Sequence, residues 1–244
     1  MVGSASSLVG NIISIETEKH EPIPRGLADL LLSAIAIDTN GLKKGKAKKA
    51  DRNAAQSLFA RSTSRHKDLK PFMKSLAKDL KKAQSQLQNL TVGQMFSRDY
   101  KGDVMYNSTI PVNVGYANIP EVLDDLIERS KNGTMQGLVA ETREWIAANK
   151  VDVLITMTKA KDKKGNKIRE LILIVEPGTN LDEDMAERIY HTIRDEVATD
   201  TQLSLKPWRA EKDWGRWRFA WKQIGSGTGR KAIRPIVERA IQEW

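Results

Sequence analysis

Apolar and polar residues alternate with two different periods along this chain, and the change of period organises it. From Gly26 onward Leu27, Leu30, Leu31, Ala34, Ile35 and Ile37 fall close to helical spacing, which predicts a largely buried helix over 26–38. Thr39-Asn40-Gly41 ends it, Gly41 supplying the permissive backbone that a helix C-terminus favours. Asp51 opens a second helix through about Ser62, with Ala54, Ala55, Leu58 and Phe59 on its apolar face. A longer helix is predicted from about Lys67 to Gln88. There Leu69, Phe72, Met73, Leu76, Leu80, Ala83 and Leu87 recur at three- and four-residue steps opposite a lysine-rich face. Its methionine and phenylalanine are core residues. Residues 1–25 read as a short helix or strand around Ile12, Ile13 and Ile15, followed by a turn holding Pro22 and Pro24.

After Leu90 a short helical element leads into strands. Val104 to Tyr106 and Ile110 to Tyr116 read as strands around a polar turn. Helices are predicted from Pro120 to about Lys131 and from Met135 to Asn149. Val151–Thr158 and Ile168–Val175 are strongly apolar strands joined by a basic hairpin loop over 159–167. Asp182 to Val197 predicts a helix with acids in its first turn, where the helix dipole favours them. Short strands near 201–207 and 216–224 follow, then a terminal helix from about Arg230 to Gln242. This alternation predicts an α/β (α+β) fold, a mixed β-sheet flanked by helices, with a helical segment in front of it.

Charge narrows the partners. The 244 residues carry a formal charge of +9, and such a basic excess favours polyanions through steering and counterion release. Inorganic polyphosphate and nucleic acid both qualify. The chain has no cysteine, which excludes disulfides and thiolate ligands and suits a reducing, cytoplasmic setting. It has neither an apolar run long enough to span a membrane nor a secretory leader pattern.

Three stretches carry candidate chemistry. In Gly225-Ser226-Gly227-Thr228-Gly229-Arg230-Lys231 the glycines let the backbone approach an anion, and a helix starting at Arg230 points free N–H groups towards it. Arg230 adds a bidentate fork and Lys231 a point charge, both suited to phosphate oxygens. The order of residues is not that of a Walker loop, and a flexible linker is the plainer reading. Lys43, Lys44, Lys46, Lys48 and Lys49 form a basic segment that reads either as a mobile, solvated loop or as an electropositive flap over an anion. Asp38 closes an apolar helix, where an unpaired carboxylate is costly. It calls for a cation, a turn to cap or a metal. Trp208, Trp214, Trp217 and Trp221 mix with Arg209, Arg216, Arg218 and Lys222; this could stack a single nucleic-acid strand, but the alternation over 216–222 reads better as a half-buried strand.

The phrase LLLSAIAIDTNGLK with Asp51 beyond it resembles the fourth metal-binding motif of the DHH phosphoesterases, in their exopolyphosphatase and manganese pyrophosphatase branch. Ser97-Arg98-Asp99-Tyr100-Lys101 is similar to the Arg-Lys-Asp-Tyr-Lys phrase of those exopolyphosphatases. Gly229-Arg230-Lys231 with Pro235 is similar to their C-terminal Ser-Arg-Lys phrase, and Val2-Gly3-Ser4-Ala5-Ser6-Ser7-Leu8-Val9 to the segment after their Asp-His-His triplet. The resemblance implies that Asp38 binds one of two Mn²⁺ or Mg²⁺ ions and that Arg230 and Lys231 grip phosphate. The triplet itself and the family's N-terminal aspartate motifs are absent, and His20, His66 and His191 match none of them. The resemblance therefore implies residues 1–42 as the tail of a DHH catalytic domain, 43–50 as a lysine-rich linker, and 51–244 as the DHH-associated C-terminal substrate-binding domain. It implies a partner DHH domain, polyphosphate as substrate, and little activity of this chain alone. A non-catalytic polyanion-binding or protein-interaction module and a single-stranded nucleic-acid binder are the alternatives.

Overall fold

The computed structural model describes residues 2–17, 23–108, 110–161, 166–178, 180–209, 214–224 and 229–244. Two compact units divide between Asn89 and Leu90 rather than within the lysine-rich segment.

The first unit is helical: α1 (Ala5–Thr17), α2 (Arg25–Thr39), α3 (Lys49–Phe59) and α4 (Leu69–Gln84). The division falls after α4 because α3 and α4 complete the core of α2. Ala28, Leu31, Leu32, Ile35 and Ala36 of α2 pack with Ala54, Ala55 and Leu58 of α3 and with Met73 and Ala77 of α4. The α2 helix is buried on one side only, since Leu30 is 66% exposed. It ends through Asn40 (φ 55°) and Gly41 (φ 70°), whose N–H donates to the Ala36 carbonyl at 2.8 Å. A Cβ at Gly41 would lie 2.9 Å from the Lys74 Cα and the Met73 carbonyl oxygen, so glycine also permits the approach of α4.

The lysine-rich segment is a hydrogen-bonded turn, not the mobile loop its composition suggests. The Lys43 N–H donates to the Thr39 carbonyl and the Ala47 N–H to that of Lys43, and Ala47 is buried. Its ammonium-bearing residues stay exposed.

Asp51 ties this turn to the start of α1. Its side chain is inaccessible to solvent and accepts the N–H of Gly3 (2.8 Å), Ser4 (3.1 Å) and Lys48 (2.6 Å) and the Ser7 hydroxyl (2.7 Å). Burial pushes its carboxyl up, but the hydrogen bonds from Lys48, Ser7, Gly3 and Ser4 outweigh that and leave it below its ordinary value of 3.8. Gly3 is confined by the same contact, since a Cβ there would meet Asp51 Oδ2 at 2.8 Å.

The second unit contains a six-stranded sheet in the order β1-β2-β3-β6-β8-β7. Its strands are β1 (Tyr100–Asn107), β2 (Ile110–Ile119), β3 (Val153–Thr158), β6 (Glu170–Val175), β7 (Leu205–Pro207) and β8 (Arg218–Gln223). The two-residue strands β4 (Ala160–Lys161) and β5 (Lys167–Ile168) extend the β3–β6 hairpin; its tip, 162–165, lies outside the described residues. Every neighbouring pair is antiparallel except β2 and β3. Between these two the chain crosses over through α6 (Leu123–Arg129) and α7 (Met135–Asn149). A parallel pair needs such a crossover.

Helices cover both faces. On one face α8 (Glu183–Thr199) and α9 (Arg230–Glu243) bury Ile189, Ile193, Ile236 and Val237 against Val112, Val114, Ile155, Leu173 and Trp221. On the other, α5 (Val92–Arg98), α6 and α7 bring Phe96, Leu126 and Leu138 against Thr156, Ile172 and Ile174. The Arg98–Lys101 phrase therefore straddles an element boundary, Arg98 ending α5 and Tyr100 opening β1. The expected mixed sheet flanked by helices is the observed architecture.

Asp51 is the residue on which the first unit's stability should turn. Asp51→Asn is expected to cost about 3 kcal/mol at neutral pH, since buried donors lose their charged acceptor. A carboxyl with a depressed folded pKa stabilises above its unfolded value and loses that contribution as pH falls through the folded one. The gap between wild type and variant should accordingly shrink below about pH 4, measured as denaturant midpoints against pH. A gap that is the same at pH 7 and pH 3 would show that the carboxylate's charge is not what matters.

Candidate functional site

Basic side chains gather at the start of α9, beside the edge strand β1. Gly229 precedes the helix in extended backbone and no side chain caps it, so the first-turn N–H groups and the positive end of the dipole remain on offer. Gly225 to Thr228, the rest of the glycine-rich stretch, lie outside the described residues. Lys231 is exposed and Arg230 half-buried, and among the described residues neither forms an ion pair. Arg234, one turn further, is committed: its Nε donates to Asp103 Oδ2 of β1 at 2.6 Å, and its Nη1 lies 3.8 Å from Glu238. The register of the first hairpin pairs Lys101 with Tyr116 and Asp103 with Val114, which places Lys101, Asp103 and Tyr116 on the face that α9 covers.

Tyr116 lies beneath this cluster. Its ring is buried, and its hydroxyl has no hydrogen-bond partner among the described residues. Burial, followed by the negative charges of Asp103 and Glu238, raises its pKa far above the ordinary tyrosine value, while Arg234 and Arg230 oppose this weakly. The phenol stays neutral at any physiological pH. Sequence reasoning found Arg230 and Lys231 but passed over Tyr116, Asp103 and Arg234. The signals were present: Tyr116 is the polar member of the inward row Val112, Val114, Tyr116, and Arg234 follows Arg230 at the four-residue step of one helix face.

Asp38 and the five lysines belong to the first unit, and Arg230 and Lys231 to the second. Asp38 is exposed, not buried at the end of an apolar wall, and accepts the Ser4 hydroxyl at 2.7 Å. A solvated carboxylate of this kind does not require a cation. No group of three or more His, Asp or Glu side chains that could hold a metal ion occurs among the described residues. One exposed carboxylate does not fit a two-metal centre on its own. His66 and His191 are exposed and touch the rings of Phe72 and Tyr190; His20 lies outside the described residues.

The tryptophan-rich segment does form the strand β8, but its second face is not open to solvent. Trp208, Trp214, Trp217 and Trp221 are all buried, so none presents a ring to stack a base. Arg218, read from the sequence as an outward residue, is 3% exposed. It pairs with Glu176, which also binds Arg143. The helices on the second face bring this about. Burial, with Arg143 adding to it, lowers the Arg218 pKa to about 10, and the guanidinium remains charged at neutral pH. No described helix is long and apolar enough to cross a membrane.

The profile of the DHHA2 domain matches residues 78–240. Among solved structures the chain is similar to a Methanococcus jannaschii protein described as a candidate family II inorganic pyrophosphatase. The TM-score is 0.50 at 15% identity, over 98% of this chain and 65% of that one. At this identity the likeness is one of fold. The present chain spans about two thirds of that protein's length.

Since an unpartnered buried hydroxyl is desolvated without return, Tyr116→Phe should leave the unfolding free energy unchanged or raise it by about 1 kcal/mol. In spectrophotometric titration the variant should show one fewer tyrosine that fails to ionise through the usual range than the wild type. A loss of several kcal/mol in the variant would mean that the hydroxyl has a partner in solution.

Proposed function

The chain belongs to the DHHA2 domain family, and on that premise we propose that it is the polyphosphate-binding part of a DHH-type phosphohydrolase that releases terminal phosphate. The observation that carries the reading is the division of labour in α9. Asp103 neutralises and fixes Arg234, while Arg230 and Lys231, at an uncapped helix start, are left for an anion. A guanidinium fork, an ammonium and free N–H groups suit phosphate oxygens. The exposed Lys43, Lys44, Lys46, Lys48 and Lys49 add to the field that attracts a long polyanion. The net charge of +9 supports polyphosphate over a shorter phosphoanhydride.

Hydrolysis in this reading needs a DHH domain as partner, since the described residues do not assemble a metal centre. Such a centre, loaded with Mn²⁺ or Mg²⁺, would supply the activated water. We assign residues 1–42 to the tail of that domain, with Asp38 as the one ligand this chain contributes, 43–50 to a linker and 51–244 to the substrate-binding part. Leu8, Ile12 and Ile15 of α1 are 49%, 62% and 59% exposed, and this apolar face is where the remainder of the DHH domain would seat. A cytoplasmic location belongs to the same proposal.

Arg230→Ala and Lys231→Ala should each weaken polyphosphate binding by about 1–3 kcal/mol, as for hydrogen bonds to charged groups, read by calorimetry at fixed salt. Unchanged affinity in the double variant would remove the site assignment. With Mn²⁺ or Mg²⁺ supplied, the chain alone should bind polyphosphate and release no phosphate. Metal-dependent turnover would overturn the account of an incomplete centre. Tighter binding of a single-stranded oligonucleotide than of polyphosphate would favour a nucleic-acid binder instead.

A further inference from the structure

The formal charge is not spread evenly between the two units. The first 89 residues hold 16 Lys and Arg against 8 Asp and Glu, and the remaining 155 hold 24 against 23. Nearly all of the excess therefore belongs to the helical unit, and most of it to one part. Residues 43–82 carry eleven lysines and three arginines against Asp51, Asp68 and Asp79. Of these acids Asp51 is buried and occupied by backbone N–H groups. Along α4, Lys70, Lys74, Lys78 and Lys81 recur at four- and three-residue steps, all exposed, and make a row about 16 Å long on one side of the helix. Asn40 and Gly41 join this row to the lysine turn. Gly41 packs on the Lys74 backbone, and the Lys81 ammonium donates to Asn40 Oδ1.

Among the described residues none of the lysines of α4 or the turn forms an ion pair, whereas arginines of the second unit are matched, as in Arg129–Glu121 and Arg239–Glu196. Like charges four residues apart on a helix repel, and a surface left so one-sided opposes folding until a polyanion neutralises it. The residue types select among polyanions. The first unit has no Trp or Tyr, and its two phenylalanines, Phe59 and Phe72, are half-buried against each other with ring centroids 5.2 Å apart. It offers no exposed indole, phenol or phenyl ring on which a base could stack. Its cations are mostly ammonium point charges rather than guanidinium forks. A chain that is all charge and carries no bases fits that surface. We propose that the α4 row and the adjoining turn form a second binding surface for polyphosphate, which engages long chains and gives short ones no advantage. This rests on polyphosphate being the ligand of the protein and adds the Lys70, Lys74, Lys78 and Lys81 contacts to the α9 assignment.

The test is the combined variant Lys70→Gln, Lys74→Gln, Lys78→Gln in the full chain. The probes are long-chain polyphosphate, tripolyphosphate and duplex DNA, titrated by calorimetry over a range of salt. The variant should bind long-chain polyphosphate about tenfold more weakly, with the slope of log K against log salt shallower by about two. It should bind tripolyphosphate as the wild type does. Without ligand it should fold and be no less stable than the wild type, because like charges have been removed. Unchanged affinity for long chains would overturn the proposal. So would an equal loss for tripolyphosphate and long chains, or tighter binding of duplex DNA than of polyphosphate by the wild type. The α9 assignment fails separately: Arg230→Ala with Lys231→Ala would then leave tripolyphosphate binding intact while the α4 variant still loses long chains. No binding of polyphosphate by the wild type would remove both.

Discussion

Central strands covered by helices on both faces have no solvent side on which to place a charge, and the second unit is arranged around that constraint. Asp152, Glu170, Glu176 and Arg218 are all nearly inaccessible, and a buried ion without partners would cost several kcal/mol. The three acids sit where strands begin or end, just before β3, at the first residue of β6 and just after it. There the ladder runs out of backbone partners, and the carboxylates supply them. Asp152 accepts the N–H of Asn113 and, from Asn180, the backbone N–H and one from the side-chain amide. Glu170 accepts the Leu123 N–H, the Thr158 hydroxyl and the Trp208 indole N–H. Burial nonetheless raises the Glu170 carboxyl above its ordinary value, the hydrogen bonds offsetting only part of the cost. Buried charge here joins loops to strand ends.

The same logic on a smaller scale builds the first unit. Asp51 gathers N–H groups from two helix starts and the lysine turn, linking segments far apart in sequence through one carboxylate. It also explains how a run so rich in lysine holds a defined turn. The backbone is anchored by Asp51 and the buried Ala47, and only the ammonium groups are left to water. At the start of α9 the acid Asp103 takes one arginine and leaves its neighbours to face solution. Paired and unpaired cations are thus separated within two turns of one helix.

Period and punctuation marked most elements correctly. α7 begins and ends at the expected Met135 and Asn149, and the two apolar runs around the basic loop are the central antiparallel pair. The start of α9 at Arg230 could be read from the sequence because its signal is local: glycines followed by a helical apolar pattern. The failures share a cause. Leu30 and Asp38 were given burial by their apolar neighbours, yet both lie on the side of α2 that the other helices leave open. Arg218 was given solvent by strand alternation, yet its face is covered.

By itself, then, the chain's pattern determined which segments become helices and strands, because backbone geometry responds to neighbours within a turn or a pleat. It also determined the basic character. Tertiary structure alone decided which side of each element meets water, how the compact units divide, and which charges are spent on one another. Those outcomes depend on segments distant in sequence that cover a face or bring an acid to a base. Arg218 is the clearest case, since it is shut from water and meets Glu176 only when the sheet and its helices close.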